Sequence, residues 1–162
     1  MIIRNMTPED VKQVAEIEAQ CFSMPWSEKS FLDSINRSDT LFLVAAEPDS
    51  VTEGVDCIKE ELKNRDKILG YIGMYVAFEE GEITNVAVAP ECRKQGVGNA
   101  LVTEIQLAGK VRNLDRLILE VRASNKSAIS LYKKKNFTKL GVRKKFYEKP
   151  VEDAIIMAYS FY

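Results

Sequence analysis

The clearest chemical signal in the sequence is a pair of glycines, Gly96 and Gly98, within ‘NVAVAPECRKQGVGNAL’. The apolar run before them, closed by Pro90, is typical of the end of a buried strand, and ‘NALVTEIQLA’ is typical of an opening helix. A strand, a loop and a helix in this order turn several backbone N–H groups and the positive end of the helix dipole toward one point. Such a point binds anions, typically phosphates.

Two well-known phosphate loops do not fit this spacing. A P-loop ends in Gly-Lys-Ser/Thr, whereas Asn99 and Ala100 follow Gly98. The dinucleotide fingerprint, counted from Gly96, needs a third glycine or an alanine where Leu101 stands. Taken alone, the loop is explained equally well as a helix N-terminus that needs tight packing.

The chain contains no histidine. This excludes Ser-His-Asp and Cys-His catalysis and every His-ligated metal site, and it leaves carboxylates, tyrosine, lysine and backbone dipoles as the chemical groups available. Cys21, Cys57 and Cys92 are scattered and odd in number, which argues against a disulfide framework and against zinc spacing. We therefore expect reduced thiols and no bound metal.

Strands and helices that could position these groups alternate along the chain. Thr7 is predicted to cap a helix that starts at Pro8, and Ser27 is predicted to cap a helix that buries Phe31, Leu32 and Ile35. Further helices are expected at about 98–112 and 127–135, and strands at about 1–5, 40–46, 67–78, 82–88, 116–121, 138–147 and 153–162, with a hairpin turn at ‘EEGE’. Strands that alternate with helices, but are interrupted by hairpins, favour an α/β fold with a mixed sheet covered by helices on both faces.

At 162 residues and 46% hydrophobic composition, the chain is predicted to be one domain, 1–162. It has no apolar run long enough to span a membrane and no signal-like N-terminus, which predicts a cytoplasmic protein. The net charge of -1 disfavours broad nucleic-acid binding. The segment 47–66 holds seven acids and three bases and is predicted to be a partly helical surface insertion.

The loop ‘RKQGVG’, Arg93 to Gly98, resembles the R/Q-x-x-G-x-G/A signature of the GCN5-related N-acetyltransferases (GNAT), which cradles the pyrophosphate of coenzyme A. With it, ‘FSMPWSEKSF’, ‘LEVRASNKSAISLYKKKNF’ and ‘EDAIIMA’ stand in the expected order and look like the ribosomal-protein alanine N-acetyltransferases of the RimI type. This resemblance covers most of the chain outside the insertion. It implies a mixed, mostly antiparallel sheet with a V-shaped cleft between two parallel strands.

The resemblance also implies roles for individual residues around bound acetyl-CoA. The acetyl carbonyl would lie beside Val86, Ala87 and Val88, the amides of Lys94, Gln95, Gly96, Val97, Gly98 and Asn99 would take the pyrophosphate, and Asn125 would bond the pantetheine arm. Glu120 matches the proton acceptor and Tyr132 the donor of a proton to the leaving thiolate. Taken alone, Glu120 is better explained as a solvated or salt-bridged acid, and Tyr132 is explained equally well as a core aromatic residue. Asn125 can also be a helix N-cap, a role that can coexist with the first.

The acceptor implied by the resemblance is the N-terminal amine of a protein, in particular a ribosomal protein beginning with alanine, acetylated by direct transfer. Pro25-Trp26 and Phe146-Tyr147 would lie near it, although core packing explains them equally well. Two alternatives stay open: transfer to a lysine or small amine, and a non-catalytic coenzyme-A-binding module. The sequence departs from the family at the long insertion and at Asn136, which replaces glycine but tolerates the left-handed conformation that ends a helix.

Overall fold

The structure is a computed structural model that describes residues 1–48 and 66–162. Apart from its ends at Glu47, Pro48 and Asp66, the predicted insertion lies outside the described residues, and so does Cys57. Within the described ranges, no helix is long and apolar enough to cross a membrane.

Four helices and seven strands make up the described part of the chain. The helices are α1 (Val11–Cys21), α2 (Glu28–Ile35), α3 (Val97–Val111) and α4 (Lys126–Lys134), and the strands are β1 (Ile2–Asn5), β2 (Thr40–Glu47), β3 (Lys67–Ala77), β4 (Glu80–Val88), β5 (Arg116–Arg122), β6 (Thr138–Glu148) and β7 (Val151–Ser160). The strands form one sheet in the order β1-β2-β3-β4-β5-β7-β6. Of the strand pairs described, β4 and β5 are parallel and the rest are antiparallel.

Helices cover both faces of this sheet, as two neighbouring residues of β3 demonstrate. A Cβ added to Gly70 would lie 3.2 Å from the Val97 side chain of α3. The next residue, Tyr71, donates its hydroxyl hydrogen to Glu18 of α1. Because successive strand residues face opposite sides, α1 and α3 lie on opposite faces. The predicted α/β architecture with a mixed, mostly antiparallel sheet is confirmed.

The helix starts follow the predicted caps with one correction. Ser27 accepts a hydrogen bond from the Ser30 backbone N–H at 3.1 Å and caps α2 as expected. After Thr7, however, the chain first makes a 3-10 turn, Pro8–Asp10, so that α1 begins at Val11 rather than at Pro8. The Asp10 carboxylate accepts the Thr7 backbone N–H at 2.8 Å. This hydrogen bond holds the first turn in the tighter 3-10 form.

Two further sequence predictions are wrong in detail. The hairpin turn consists of Phe78 and Glu79, and β4 starts at Glu80 rather than at Glu82 because Ala77 already pairs with Glu80. Leu32 is exposed, not buried, since neighbouring residues of a helix point about 100° apart and Phe31 takes the inward direction. Asn136 has a φ of 64° and follows Lys135, the C-cap of α4, so the prediction that it ends the helix in the left-handed conformation is confirmed.

Candidate active site

The two parallel strands separate at a bulge in β4. Pairing between β4 and β5 extends from Glu80 and Arg116 to Ile83 and Leu119. At that point the register against β3 shifts, so that Thr84 is an extra residue without a partner on β3. An extra residue bends its strand away from the regular pleat. Beyond Ile83, β4 therefore diverges from β5 and opens the predicted V-shaped cleft.

The cleft has a volume of about 660 Å³ and receives side chains from both strands, from α4, from the α1–α2 loop and from the β6–β7 hairpin. Four residues predicted for the site line it: Val86, Glu120, Asn125 and Tyr132. The structure brings these residues together although they come from three different elements. Ala87, Val88 and residues Lys94 to Asn99 do not line the cleft. Ala87 and Val88 follow Val86 at the end of β4, and Lys94 to Asn99 lead into α3.

The ladder between β3 and β4 fixes the direction of the Val88 backbone. Ala87 pairs with Tyr71, and the Ala89 N–H donates to the Leu69 carbonyl at 2.9 Å. Because alternate residues of an antiparallel strand bond to opposite edges, the N–H group of Val88 points away from β3, toward the side where β5 has diverged. A backbone donor thus faces the opening between the strands.

The loop before α3 has the geometry of an anion site. Lys94 and Gly96 both have positive φ, 60° and 84°, which turns the chain sharply into the helix. A Cβ added to Gly96 would meet nothing within 4 Å, so the main chain there is open to an approaching group. A Cβ on Gly98 would lie 3.1 Å from the Leu131 side chain, so this glycine serves the packing of α3 against α4. The unpaired first-turn amides of α3 fit a phosphate group.

Glu120 projects from β5 into the cleft and its side chain is 18% exposed. Burial raises the pKa of this carboxyl, the positive charge of Arg143 opposes that rise, and the negative charge of Glu82 adds to it. The Arg143 guanidinium lies 3.4 Å from Glu120. The sequence did not single out Arg143 as a partner of Glu120, so this ion pair was missed.

Tyr132 and Asn125 reach the cleft from α4. The ring of Tyr132 packs 5.7 Å from that of Phe137, and the residue is 6% exposed, so that burial raises the pKa of its hydroxyl and keeps it protonated. Both the aromatic packing and the position in the cleft are therefore observed. Asn125 caps α4, because its side-chain oxygen accepts the Ala128 backbone N–H at 3.1 Å. This leaves its amide NH₂ group as the donor available to the cleft.

Two loops close one side of the cleft. The β6–β7 hairpin contributes Phe146 and Tyr147, and the α1–α2 loop contributes Trp26, which also packs 5.4 Å from the ring of Phe31. Arg122, which the sequence did not single out, places its guanidinium 4.3 Å from the centre of the Tyr147 ring. It also donates to the carbonyl groups of the turn after β6.

One buried polar pair in the wall of the cleft was also missed from the sequence. Glu18 of α1 and Asn85 of β4 both line the cleft and are joined by a hydrogen bond of 3.3 Å. A signal for Glu18 was present. It follows Val14 by four residues and precedes Cys21 by three, so the helical period places it on the same side of α1 as these two apolar residues.

A sheet that splits beside a glycine loop and a helix N-terminus is the arrangement that the resemblance to acetyl-CoA-dependent transferases implies. The Acetyltransferase (GNAT) family profile matches residues 11–137, and the chain belongs to this family of acetyl-CoA-dependent N-acetyltransferases. The [ribosomal protein bS18]-alanine N-acetyltransferase of Escherichia coli K12 is 30% identical over 158 residues, which cover 96% of this chain and 95% of the relative. A Bacillus subtilis protein provisionally given the same name is 34% identical over 155 residues, 96% of this chain and 92% of its own length.

Solved structures agree with this assignment. The crystal structure of the ribosomal-protein-S18-alanine N-acetyltransferase from E. coli superposes with a TM-score of 0.80 at 28% identity, covering 98% of this chain and 92% of that one. Arabidopsis thaliana NAA60 in complex with acetyl-CoA has a TM-score of 0.80 at 19% identity, covering 99% of this chain and 98% of that one. At that identity the second likeness concerns the fold.

Proposed function

We propose that this N-acetyltransferase acetylates the N-terminal α-amine of a protein, and that its substrate is a ribosomal protein beginning with alanine. The observation that carries the proposal is the likeness to the E. coli alanine N-acetyltransferase over 96% of this chain. That span includes the α1–α2 loop and the β6–β7 hairpin, which border the cleft. A ribosomal acceptor would place the reaction in the cytoplasm.

The proposal divides the site into two ends. The coenzyme end consists of Val86–Val88 and the loop Lys94–Asn99, which would hold the acetyl carbonyl and the pyrophosphate. The acceptor end consists of Trp26, Glu120, Tyr132 and the pair Phe146-Tyr147. Acetyl-CoA would lie between β4 and β5, with the NH₂ group of Asn125 donating to its pantetheine arm. The open main chain at Gly96 and the volume of the cleft support this placement.

Transfer to an amine requires that the amine lose a proton, and Glu120 is the proposed proton acceptor. An α-amine with a pKa near 8 is roughly a tenth neutral at pH 7, whereas a lysine with a pKa near 10.4 is neutral in about one molecule in a few thousand. A partly buried carboxylate with a raised pKa is a sufficient base for the α-amine and a weak one for the lysine amine. This comparison favours the N-terminal amine.

The rest of the reaction needs charge stabilisation and a proton donor. Negative charge that develops on the carbonyl oxygen would be met by the Val88 N–H, which faces the opening between the strands. Tyr132 would protonate the departing thiolate, since burial keeps its hydroxyl in the protonated form. Cys92 is buried, and a direct attack of the amine requires no acyl-cysteine.

A peptide series tests the proposal. Peptides that differ only in their first residue, one of them beginning with alanine, are incubated with the protein and acetyl-CoA. Each is compared with the same peptide blocked at the N-terminus. We expect acetylation of the free alanine peptide, measured as intact mass, and no turnover of its blocked form. Equal rates for a blocked peptide that carries a lysine would replace the proposal with lysine acetylation.

A further inference from the structure

Glu18 is a buried acid that the reaction described above does not use. It lies in α1, is 1% exposed, and belongs to the wall of the cleft. Burial raises the pKa of its carboxyl against the opposing effect of its hydrogen-bond donors. A carboxylate in such a place is costly for the fold unless its oxygens are satisfied.

Three donors from three different elements satisfy this carboxylate. One oxygen accepts the Trp26 backbone N–H at 3.1 Å and the Asn85 side-chain NH₂ at 3.3 Å. The other accepts the hydroxyl of Tyr71 in a short hydrogen bond. Within the described residues, no ion pair joins Glu18 to a basic side chain.

The other acid of equal burial among the described residues, Asp10, is held by a charged partner instead of by neutral donors alone. Asp10 is also 1% exposed, but it is held by the Arg4 guanidinium at 2.7 and 2.9 Å. Burial alone would raise the pKa of Asp10, and the hydrogen bonds from Arg4 and Thr7 outweigh it and lower that pKa. Asp10 therefore has a charge partner and ties the first turn to β1, whereas Glu18 has neutral donors around the cleft.

The partners of Glu18 are the parts of the wall that shape the cleft. Trp26 is in the α1–α2 loop, at the acceptor end. Asn85 follows Thr84, the bulged residue at which β4 leaves β5. The Asn85 side-chain oxygen is buried and, among the described side chains, is the buried polar atom without a hydrogen-bond partner. The orientation of this side chain thus depends on its NH₂ group, which donates to Glu18 and lies beside the Tyr71 hydroxyl that also binds Glu18.

We propose that Glu18 is a positioning residue for the acceptor, because one of its oxygens fixes the Trp26 loop and the bulged strand at Asn85 relative to each other. This inference rests on the proposed acceptor end. The proposed role depends on the position of the oxygen and not on its charge. The Trp26 N–H and the Asn85 NH₂ need an acceptor oxygen at the end of a side chain as long as that of glutamate. The neutral amide of glutamine also supplies such an oxygen.

Two substitutions separate reach from charge. Glu18→Gln keeps the length and one acceptor oxygen but removes the charge, and Glu18→Asp keeps the charge but shortens the side chain by one methylene. We expect Glu18→Asp to raise KM for the acceptor peptide roughly tenfold and Glu18→Gln by about threefold or less, with KM for acetyl-CoA nearly constant in both. The matched control Asp10→Asn changes an equally buried acid away from the cleft. It should lower Tm and leave both KM values within about twofold of wild type.

Trp26 gives a readout that needs no substrate, because it is the single tryptophan of the chain. Its emission should shift to the red in Glu18→Asp and stay close to wild type in Glu18→Gln. If Glu18→Asp does not fold, Glu18→Met, which keeps the volume and removes both oxygens, takes its place with the same expectation.

Three results would overturn the inference: unchanged acceptor KM in the folded Asp or Met variant, equal changes in both KM values, or a larger acceptor effect for Gln than for Asp. The last would mean that the charge matters and the reach does not. The proposed function is judged separately, on wild-type protein. If wild type acetylates a lysine instead of an α-amine, the proposed function fails. The acceptor KM values of the Glu18 variants are then compared with a lysine peptide as the acceptor.

Discussion

The proposed coenzyme end of the site is built from main chain, whereas the proposed acceptor end is built from side chains. At the coenzyme end, the Val88 N–H and the first-turn amides of α3 point toward open space because of a strand register and a tight turn at Gly96. At the acceptor end, Trp26, Glu120 and Tyr132 come from three different elements, the α1–α2 loop, β5 and α4. Main-chain groups are the same whatever the side chains, so they suit a ligand that never changes, such as the coenzyme. A site made of side chains can be changed by substitution to fit a particular acceptor.

The two ends should therefore respond differently to substitution. A single side-chain change at the acceptor end can remove a chemical step and leave coenzyme binding intact. At the coenzyme end, only a change that alters the backbone path or fills the space above it should matter. The following predictions are ordered by expected effect and test this contrast.

The largest effect is expected for Glu120→Gln, which keeps the shape of the side chain and removes the base. Turnover should fall by the ~10²–10⁴ typical of losing a general base, while affinity for acetyl-CoA barely changes. Because burial raises the pKa of Glu120, wild-type kcat/KM should increase with pH as this carboxyl ionises, and the variant should lack that limb. The deficit should shrink at high pH as the amine deprotonates without help. Steady-state rates across pH and calorimetry with acetyl-CoA measure both quantities.

Tyr132→Phe should lower turnover by a similar or somewhat smaller factor, about 10²-fold or more, with fold and acetyl-CoA affinity retained. The matched control is Tyr159→Phe, because the Tyr159 ring also packs 5.7 Å from Phe137 but does not line the cleft. Near-normal turnover in a stable Tyr132→Phe variant would reduce this residue to a core aromatic and assign protonation of the thiolate to solvent.

Gly96→Val tests the coenzyme end. Its φ of 84° is strained for a β-branched residue, and the added side chain would enter the open space above the loop. We expect roughly a tenfold or greater loss of coenzyme A affinity by calorimetry. Gly141→Val is the control, since a Cβ at Gly141 also meets nothing within 4 Å and its φ is not positive. Unchanged affinity in folded Gly96→Val would remove the loop from the coenzyme site.

The smallest effect is expected for Arg143→Gln. Arg143 opposes the rise in the pKa of Glu120, so its removal should raise that pKa further and move the acidic limb of kcat/KM to higher pH. Because the guanidinium is more than half exposed, solvent screens it, and the rate at neutral pH should change by about twofold. Arg116→Gln, in an exposed ion pair at the other end of β5, should leave the limb in place. A shift of the limb to lower pH would contradict this electrostatic account.

The contrast between the two ends also explains what the sequence could predict. The loop at Gly96, the cap at Asn125 and the left-handed Asn136 are local features, because the residues that make them are neighbours in the chain. The order of strands and helices could be predicted from hydrophobic periodicity, because that pattern also involves residues that are close together in the chain. Errors in the elements lay at their ends, such as the turn at Phe78 and the start of α1, and the inward face of α2 was drawn too wide at Leu32.

The parts that could not be predicted depend on sheet register. Glu18 meets Tyr71 and Asn85 across 53 and 67 residues of chain. The bulge at Thr84, which opens the cleft, arises from the pairing of β4 with β3 and leaves no composition signal in ‘EITNVAV’. A family resemblance could assign Glu120 a role but could not show that Arg143 pairs with it.

The most direct test of the account is where the acetyl group goes when one peptide offers both kinds of amine. A peptide with a free N-terminal alanine and a single internal lysine is incubated with wild-type protein and acetyl-CoA, and the product is fragmented to locate the added mass. The account predicts acetylation of the alanine α-amine and an unmodified lysine at first turnover. Acetyl groups found on the lysine, with the N-terminus free, would contradict it.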